Sequence, residues 1–296
     1  MQRSDNAASP MKPDGNNPEA NFAQDTVAGF GDEWTRFDQS SLDPSEHKQL
    51  FENYFGIFPW ESLPAAATGF DLGCGSGRWA KMVAPRVARL HCIDASADAL
   101  AVARANLMDA GNCVFHNASV DSIPLPAESM DFGFSLGVLH HVPDTQAGIV
   151  SCAKLLKPGA PFLIYLYYAF DNRPAWFRLL WRASELIRYG VSRLPHGLRY
   201  LVSQVIALLV YFPLARGALL LERLGLNVAN LPLAFYRDCS FYVMRTDALD
   251  RFGTRLEQRF TANRIREMME SSGLENIRFS DRSPYWCAVG FKARGR

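Results

Sequence analysis

Residues 70–80 read FDLGCGSGRWA: an apolar run holding one acid, Asp71, then glycines at 73, 75 and 77. An apolar run that ends in alternating glycines and continues as Arg78-Trp79-Ala80 describes a strand turning sharply into a helix, with backbone left bare for a ligand to approach. A GxGxxG dinucleotide fingerprint would need its third glycine at position 78, where this chain has arginine. Asp71 would repel a pyrophosphate and suits a ligand that carries an ammonium group.

Outward from that turn, residues 69–168 alternate short apolar runs with helical patterns, the signature of a parallel sheet with crossover helices. Strands are expected at 68–72, 89–94, 113–117, 130–135 and 161–167, with helices at 78–87, 96–110 and 145–156. Ser96 is a suitable N-cap, Gly111 a helix stop, and Lys157-Pro158-Gly159 a turn before the fifth strand. Asp94 closes the second strand, where a carboxylate can accept both hydroxyls of a ribose; it fixes a nucleoside and leaves its type open. The pattern breaks over 171–260 and resumes with a helix at 261–272 and strands at 276–281 and 285–292. No internal repeat is present.

The interrupting segment is helical in pattern and rich in bulky apolar residues over 174–226. Its longest charge-free run, 200–215, is shorter than the roughly 20 residues of a spanning helix and contains Gln204 and Pro213, so a transmembrane span is not expected. The segment is locally basic: Arg173, Arg178, Arg182, Arg188, Arg193, Arg199, Arg216 and Arg223 stand against Asp171, Glu185 and Glu222. Such helices can cap a greasy substrate, rest on an anionic membrane surface at 174–226, or form a homodimer interface.

Over the whole chain of 296 residues the formal net charge is only +1, which argues against a nucleic-acid-coating protein. Six scattered cysteines form no CxxC pair, so neither a zinc site nor a disulfide framework is expected, and reduced thiols of a cytoplasmic protein are the simplest reading. The N-terminus lacks the charged start and apolar stretch of a secretory signal, and its Asn, Pro, Asp, Ser and Gly content suggests a disordered tail over 1–20.

The stretches FDLGCGSG (70–77), IDAS (93–96), SIPLPAESMDFGFSLGVLHHVPD (122–144) and LLKPGAPFLIY (155–165) together resemble the class I S-adenosylmethionine-dependent methyltransferases, specifically the UbiE-like small-molecule group. The resemblance implies a Rossmann-like α/β fold with a seven-stranded sheet and an antiparallel last strand. One domain would cover 21–296, with 171–260 a helical substrate-capping insertion between strands 5 and 6. It implies S-adenosylmethionine as cofactor: Asp71 and the backbone of Gly73, Gly75 and Gly77 at its methionine end, Asp94 at the ribose, and Ala95 at the adenine. Ser119 and Val120 stand where the family commonly places an Asp facing the adenine amino group, with Asp121 as fallback. Leu136 and Gly137 would border the sulfonium. The stretch 30–37, FGDEWTRF, resembles the family's lead-in to an N-terminal helix that folds over the cofactor.

Methyl transfer is an in-line displacement that needs alignment, exclusion of water and, for a protonated acceptor, removal of a proton. His140 and His141, at the carboxyl end of a parallel strand, are the first candidates for a base, with Tyr168 and Tyr236 beside them. Tyr165, Tyr167, Arg237 and Tyr242 are candidates for substrate contacts, as aromatic faces suit a sulfonium and arginine an anionic group. No metal site is expected. The expected function is methyl transfer to an O, N or C atom of a small hydrophobic molecule, lipid-linked or isoprenoid-like. The alternatives are a non-catalytic cofactor-binding protein at a membrane's inner face and, opposed by Arg78 and Asp71, an NAD-dependent oxidoreductase.

Overall fold

A computed structural model describes residues 20–295 of the chain; the expected disordered tail, Ala20 apart, lies outside the described residues. Two helices, α1 (Gln24–Arg36) and α2 (Pro44–Phe55), precede the sheet. The parallel part follows as β1 (Thr68–Leu72), α3 (Arg78–Val83), β2 (Arg89–Asp94), α4 (Ala97–Asn106), β3 (Cys113–Asn117), β4 (Phe132–Leu136), α5 (Thr145–Leu155) and β5 (Pro161–Tyr165). Helices α6 (Ala175–Val191), α7 (His196–Ile206), α8 (Phe212–Arg223) and α9 (Phe241–Gly253) make the insertion. Helix α10 (Ala262–Ser271) then leads to β6 (Leu274–Phe279) and β7 (Cys287–Lys292). The seven strands are ordered β3-β2-β1-β4-β5-β7-β6, and only β7 runs antiparallel to its two neighbours.

The first three strands keep the bounds expected from the sequence, and the differences elsewhere have local causes. Helix α3 stops at Val83 and tightens into a 3-10 turn at Ala84–Arg86, because Pro85 has no N–H for a further helical bond. Ser96 is the N-cap of α4 as expected, its hydroxyl accepting the Ala99 amide at 3.3 Å, but the helix ends at Asn106, short of the expected 110. The β6 strand begins at Leu274, two residues before the expected start, and a register shift between Glu275 and Arg278 lets Asn276 take a positive φ of 54° inside it.

Phenylalanine rings laid over glycines hold the centre of the sheet. Gly69 of β1 pairs with Phe132 of β4, and Phe70 with Gly133. A Cβ on Gly69 would stand 2.3 Å from the Phe132 ring, and one on Gly133 2.3 Å from the Phe70 ring. The two rings belong to opposite faces: Phe132 packs with Phe55, Trp79 and Ala103 under α2, α3 and α4, and Phe70 with Ile149, Met268 and Ile265 under α5 and α10.

The insertion leaves and rejoins this body at one point. The Ala169 amide donates to the Phe260 carbonyl and the Phe260 amide to the Tyr167 carbonyl, both at 2.9 Å. Between these anchors, Ala207, Tyr211 and Ala215 pack on Met244, Ala248 and Phe252 of α9 in a core of their own. Residues His196–Arg223 form one continuous helix of 28 residues, so Pro213 does not break it. A wide π turn at Ala207–Tyr211 absorbs the donor that proline lacks.

Gly69→Ala and Gly133→Ala should each cost about 1–3 kcal/mol by overpacking the opposing ring, read as a lower denaturant midpoint. Gly111→Ala, with open space around its Cβ, should stay within about 0.5 kcal/mol of the parent.

Candidate active site

The turn after β1 is built from backbone donors. Gly73, Gly75 and Gly77 take φ of 73°, 53° and 78°, the left-handed region that glycine alone enters without strain. That path points the amides of Gly73 and Cys74 at the Ile93 carbonyl, at 2.8 and 3.0 Å. The Gly75 amide donates to Asp94 Oδ2 at 2.9 Å, and the Ser96 amide to Asp94 Oδ1 at 2.8 Å. Asp94 therefore clamps the ends of β1 and β2 together; burial pushes its carboxyl up against the pull of those two amides. The space glycine leaves is filled: a Cβ on Gly73 would stand 2.3 Å from Val138, and one on Gly75 2.7 Å from the Trp34 indole of α1.

At the carboxyl ends of β1, β2 and β4 lies a narrow cavity lined by Leu72, Gly73, Asp94, Ala95, Ala118, Ser119, Val120, Leu136, Gly137, Val138 and His141. Asn21, Phe22, Ala23, Thr26, Val27, Phe30 and Trp34 close it from the side of α1. Asp71, Gly75 and Gly77 sit behind this lining. Asp71 is 1% exposed, its Oδ2 has no partner, and burial together with the charge of Asp94 raises its pKa well above the usual carboxylate range. A cation reaching the turn would satisfy that orphaned oxygen.

A second cavity of about 1050 Å3 lies between the sheet and the insertion. Phe30, Trp34, Leu136 and Gly137 line both cavities, so the two meet across one wall at the end of β4. The chamber is mostly aromatic and aliphatic, with Tyr54, Tyr165 and Tyr167 from the body side and Phe177, Leu180, Trp181, Val210, Tyr211, Leu214 and Tyr236 from the insertion. Burial holds Tyr165, Tyr167 and Tyr236 well above the ordinary phenol range, which keeps them hydrogen-bond donors.

Among the carboxylates that line this chamber, Glu33 of α1 and Asp247 and Asp250 of α9 feel the charge of Arg78, which lines it too. Burial first, then the charges of Asp250 and Asp247, raise Glu33 well above its usual range. Burial likewise pushes Asp247 and Asp250 up to about 6. The Tyr167 hydroxyl donates to Asp250 Oδ2. The other oxygen, Oδ1, has no hydrogen-bond partner and stands 3.8 Å from His141 Nε2, which has none either. His141 Nδ1 lies 2.7 Å from the Leu256 carbonyl, so Nδ1 carries the proton and the Nε2 lone pair faces Asp250. Burial lowers His141 to about 4, so the ring is neutral near pH 7. Behind the pair, Arg251 and Arg259 both grip Glu257, at 2.8 and 2.7 Å, and hold it below its usual range against the upward push of burial.

Among the residues expected from the sequence, Gly73, Asp94, Ala95, Ser119, Val120, Leu136 and Gly137 come together around the narrow cavity. Ser119 donates to Asp121, which also accepts the Asn21 amide. Tyr165, Tyr167, Tyr168, Tyr236 and Arg237 line the chamber, although Arg237 is held by Glu222 at 2.8 Å and Tyr168 accepts from Arg173 at 3.3 Å. Two expectations are corrected. His140 is fully buried, stacks on Tyr167 with ring centroids 3.9 Å apart and lines neither cavity, so it is a packing residue. Tyr242 accepts the Gln39 amide at 2.9 Å and packs edge-on against Phe37, so it braces the end of α1 away from the chamber. Sequence reasoning missed Glu33, Asp247 and Asp250; two acids three residues apart on the apolar face of α9 were the available signal.

Residues 70–164 match the family described as Methyltransferase domain. The chain is 34% identical over 158 residues to the ubiquinone biosynthesis O-methyltransferase of Aromatoleum aromaticum, covering 52% of this chain and 65% of that one. It is 32% identical over 161 residues to the protein of the same name from Thiobacillus denitrificans, covering 52% and 67%. The chain thus spans about two thirds of the length of these relatives. A solved structure from Bordetella parapertussis, described as a possible exported protein, shares the fold with a TM-score of 0.50 at 15% identity, covering 89% of this chain and 79% of that one. Sheet order and glycine turn are those of a Rossmann-like methyltransferase domain. The chain belongs to the class I S-adenosylmethionine-dependent methyltransferases, in the UbiE-like small-molecule group.

S-adenosylmethionine fits the donor set: an orphaned buried carboxylate oxygen at Asp71, a glycine cradle, and Asp94 and Ser119 lining the narrow cavity. Asp94→Ala should weaken binding of the demethylated cofactor about 10- to 100-fold, since it frees two amides and removes a charged acceptor. Ser119→Ala should cost less than about fivefold, as one neutral hydrogen bond does. Isothermal titration reads both, and the reverse ranking would contradict the assignment.

Proposed function

We propose that this chain transfers a methyl group to a small, hydrophobic acceptor held in the chamber, with an isoprenoid-like or lipid-linked molecule as the acceptor class. The observation that carries the reading is the shared wall: Phe30, Trp34, Leu136 and Gly137 line both the narrow cavity and a chamber of about 1050 Å3. S-adenosylmethionine, when bound, supplies an electrophilic methyl on a sulfonium.

The chain's own residues supply position, dryness and a proton acceptor. The glycine turn and Asp94 set the floor of the cleft, while α1 closes its side with Trp34. Insertion helices wall the chamber with apolar side chains and exclude water, which strengthens every electrostatic contact inside. Asp250 Oδ1 is the acceptor left without a hydrogen bond, because Tyr167 occupies Oδ2 and His141 presents only a lone pair. A proton taken from the acceptor lands on Oδ1, where His141 Nε2 can share it. General-base assistance of this kind contributes roughly 10²- to 10⁴-fold. The names of the O-methyltransferase relatives support oxygen as the atom methylated.

Micromolar binding of S-adenosylmethionine in isothermal titration is the expected first result, and its absence overturns the reading. Incubation with labelled cofactor and a metabolite extract, followed by mass spectrometry of the labelled product, identifies the acceptor. The rate should rise through pH about 6 as Asp250 loses its proton, with no second step near neutrality because His141 stays neutral. Asp250→Asn should remove that rise and lower the rate about 100-fold or more, while cofactor affinity stays unchanged.

A further inference from the structure

The insertion presents a surface that the rest of the fold leaves uncovered. Every large exposed apolar side chain among the described residues, apart from Phe22, Met108 and Val114, lies between Trp176 and Leu226. Leu179, Leu186 and Leu209 are 69%, 78% and 66% exposed, on α6 and on the helix that spans α7 and α8. Contiguous apolar area of this kind marks an interaction site. His196–Arg223 is long and apolar enough to cross a membrane by length and composition, with a mean hydropathy of 1.8 and 22% of the apolar window buried. It does not have a free circumference, however: Arg199, Ser203, Ala207, Tyr211 and Ala215, one on each successive turn, are buried against the protein. One face is therefore committed to the fold and the other is open, the geometry of a helix that lies along a surface.

Charge selects the surface. Between 174 and 226 there are seven arginines and two acids. Glu185 is engaged by Arg188 and Arg251, and Glu222 by Arg237. Arg178, Arg182 and Arg223 are exposed, leaving an apolar face rimmed by positive charge. The same face is continuous with the chamber: Leu180, Ile187, Val210 and Leu214 line it and are also 43–55% exposed. They form its mouth, which opens where the apolar face does.

We propose that this face docks on the surface of an anionic phospholipid bilayer, with α6 and the 196–223 helix lying in the interfacial layer and the chamber mouth opening into it. Docking lets an apolar acceptor pass from the acyl layer to the chamber without crossing water. The passage rests on the proposed function; the docking does not.

The test is flotation of the full chain with phosphatidylcholine vesicles, with and without phosphatidylglycerol. The expected result is flotation with the anionic vesicles, weakened at least about tenfold by raising salt to about 0.5 M. Two variants that spare the chamber lining probe the face. Leu186→Glu with Leu209→Glu should reduce vesicle binding at least about tenfold, and Arg178→Glu with Arg182→Glu should bring anionic vesicles down to the neutral level. Retained binding of the demethylated cofactor in both shows that they are folded. Failure of the parent chain to float, or equal flotation of the leucine variant, overturns the proposal. A dimer in light scattering that the leucine variant dissolves, with no flotation, assigns the face to a second copy and also overturns it. Flotation without cofactor binding by the parent leaves docking intact and removes the proposed function; binding without flotation does the reverse.

Discussion

The two amides that converge on the Ile93 carbonyl, with Asp94 reaching back to the Gly75 amide, are the constraint on which the rest depends. They fix the carboxyl end of β1 against that of β2, and they can form only because residues 73, 75 and 77 occupy left-handed backbone. In a parallel sheet all the carboxyl ends lie on one edge, so whatever follows β1, β2, β3 and β4 converges there. The narrow cavity is lined by residues just after each of these four strands: Gly73, Ala95, Ala118 and Gly137. Helix α1 can close over it because a glycine at 75 leaves room for the Trp34 indole.

Legibility in the sequence followed the range of the interactions. The strands flanking the turn were readable because each is a short apolar run between clear breakers, and much of the narrow cavity's lining was readable because its residues lie within a few positions of those strand ends. Helix α3 ended early for a reason also present in the sequence, Pro85. The chamber side was not readable. Asp250 meets His141 only because the insertion folds back over the sheet, and nothing in the i, i+3 spacing of Asp247 and Asp250 says which element they face. For the adjacent histidines, position at a strand end was a weaker guide than ring direction: His141 lines the cleft, whereas His140 turns under Tyr167.

The apolar wealth of the insertion admitted a core, an interface or a lid, and the structure divides it residue by residue. Positions 203, 207, 211 and 215 are Ser, Ala, Tyr and Ala, mostly small, and they let the long helix approach α9 closely. The bulky leucines occupy the remaining positions and face outward. Small residues inside and large ones outside is the reverse of a helix whose hydrophobicity serves its own core. The insertion helices are thus held to one another by close backbone packing and by polar anchors such as Arg188 to the Thr254 carbonyl and Arg251 to Glu185, while their greatest apolar area remains available.

The same division explains why the chamber tolerates its carboxylates. Glu33, Asp247 and Asp250 crowd one region with Arg78 as a nearby cation, and each is raised in pKa as burial and mutual repulsion require. An apolar set of similar volume would make a more stable chamber, since an unpaired buried oxygen costs on the order of 1–3 kcal/mol. Glu257, by contrast, is ion-paired through Oε1 with both Arg251 and Arg259, while its Oε2 has no partner. The fold pairs the charge of Glu257 behind the site and leaves Asp250 Oδ1 and His141 Nε2 facing each other at 3.8 Å without a hydrogen bond. On the proposed function, the partner that Asp250 Oδ1 lacks arrives with the acceptor.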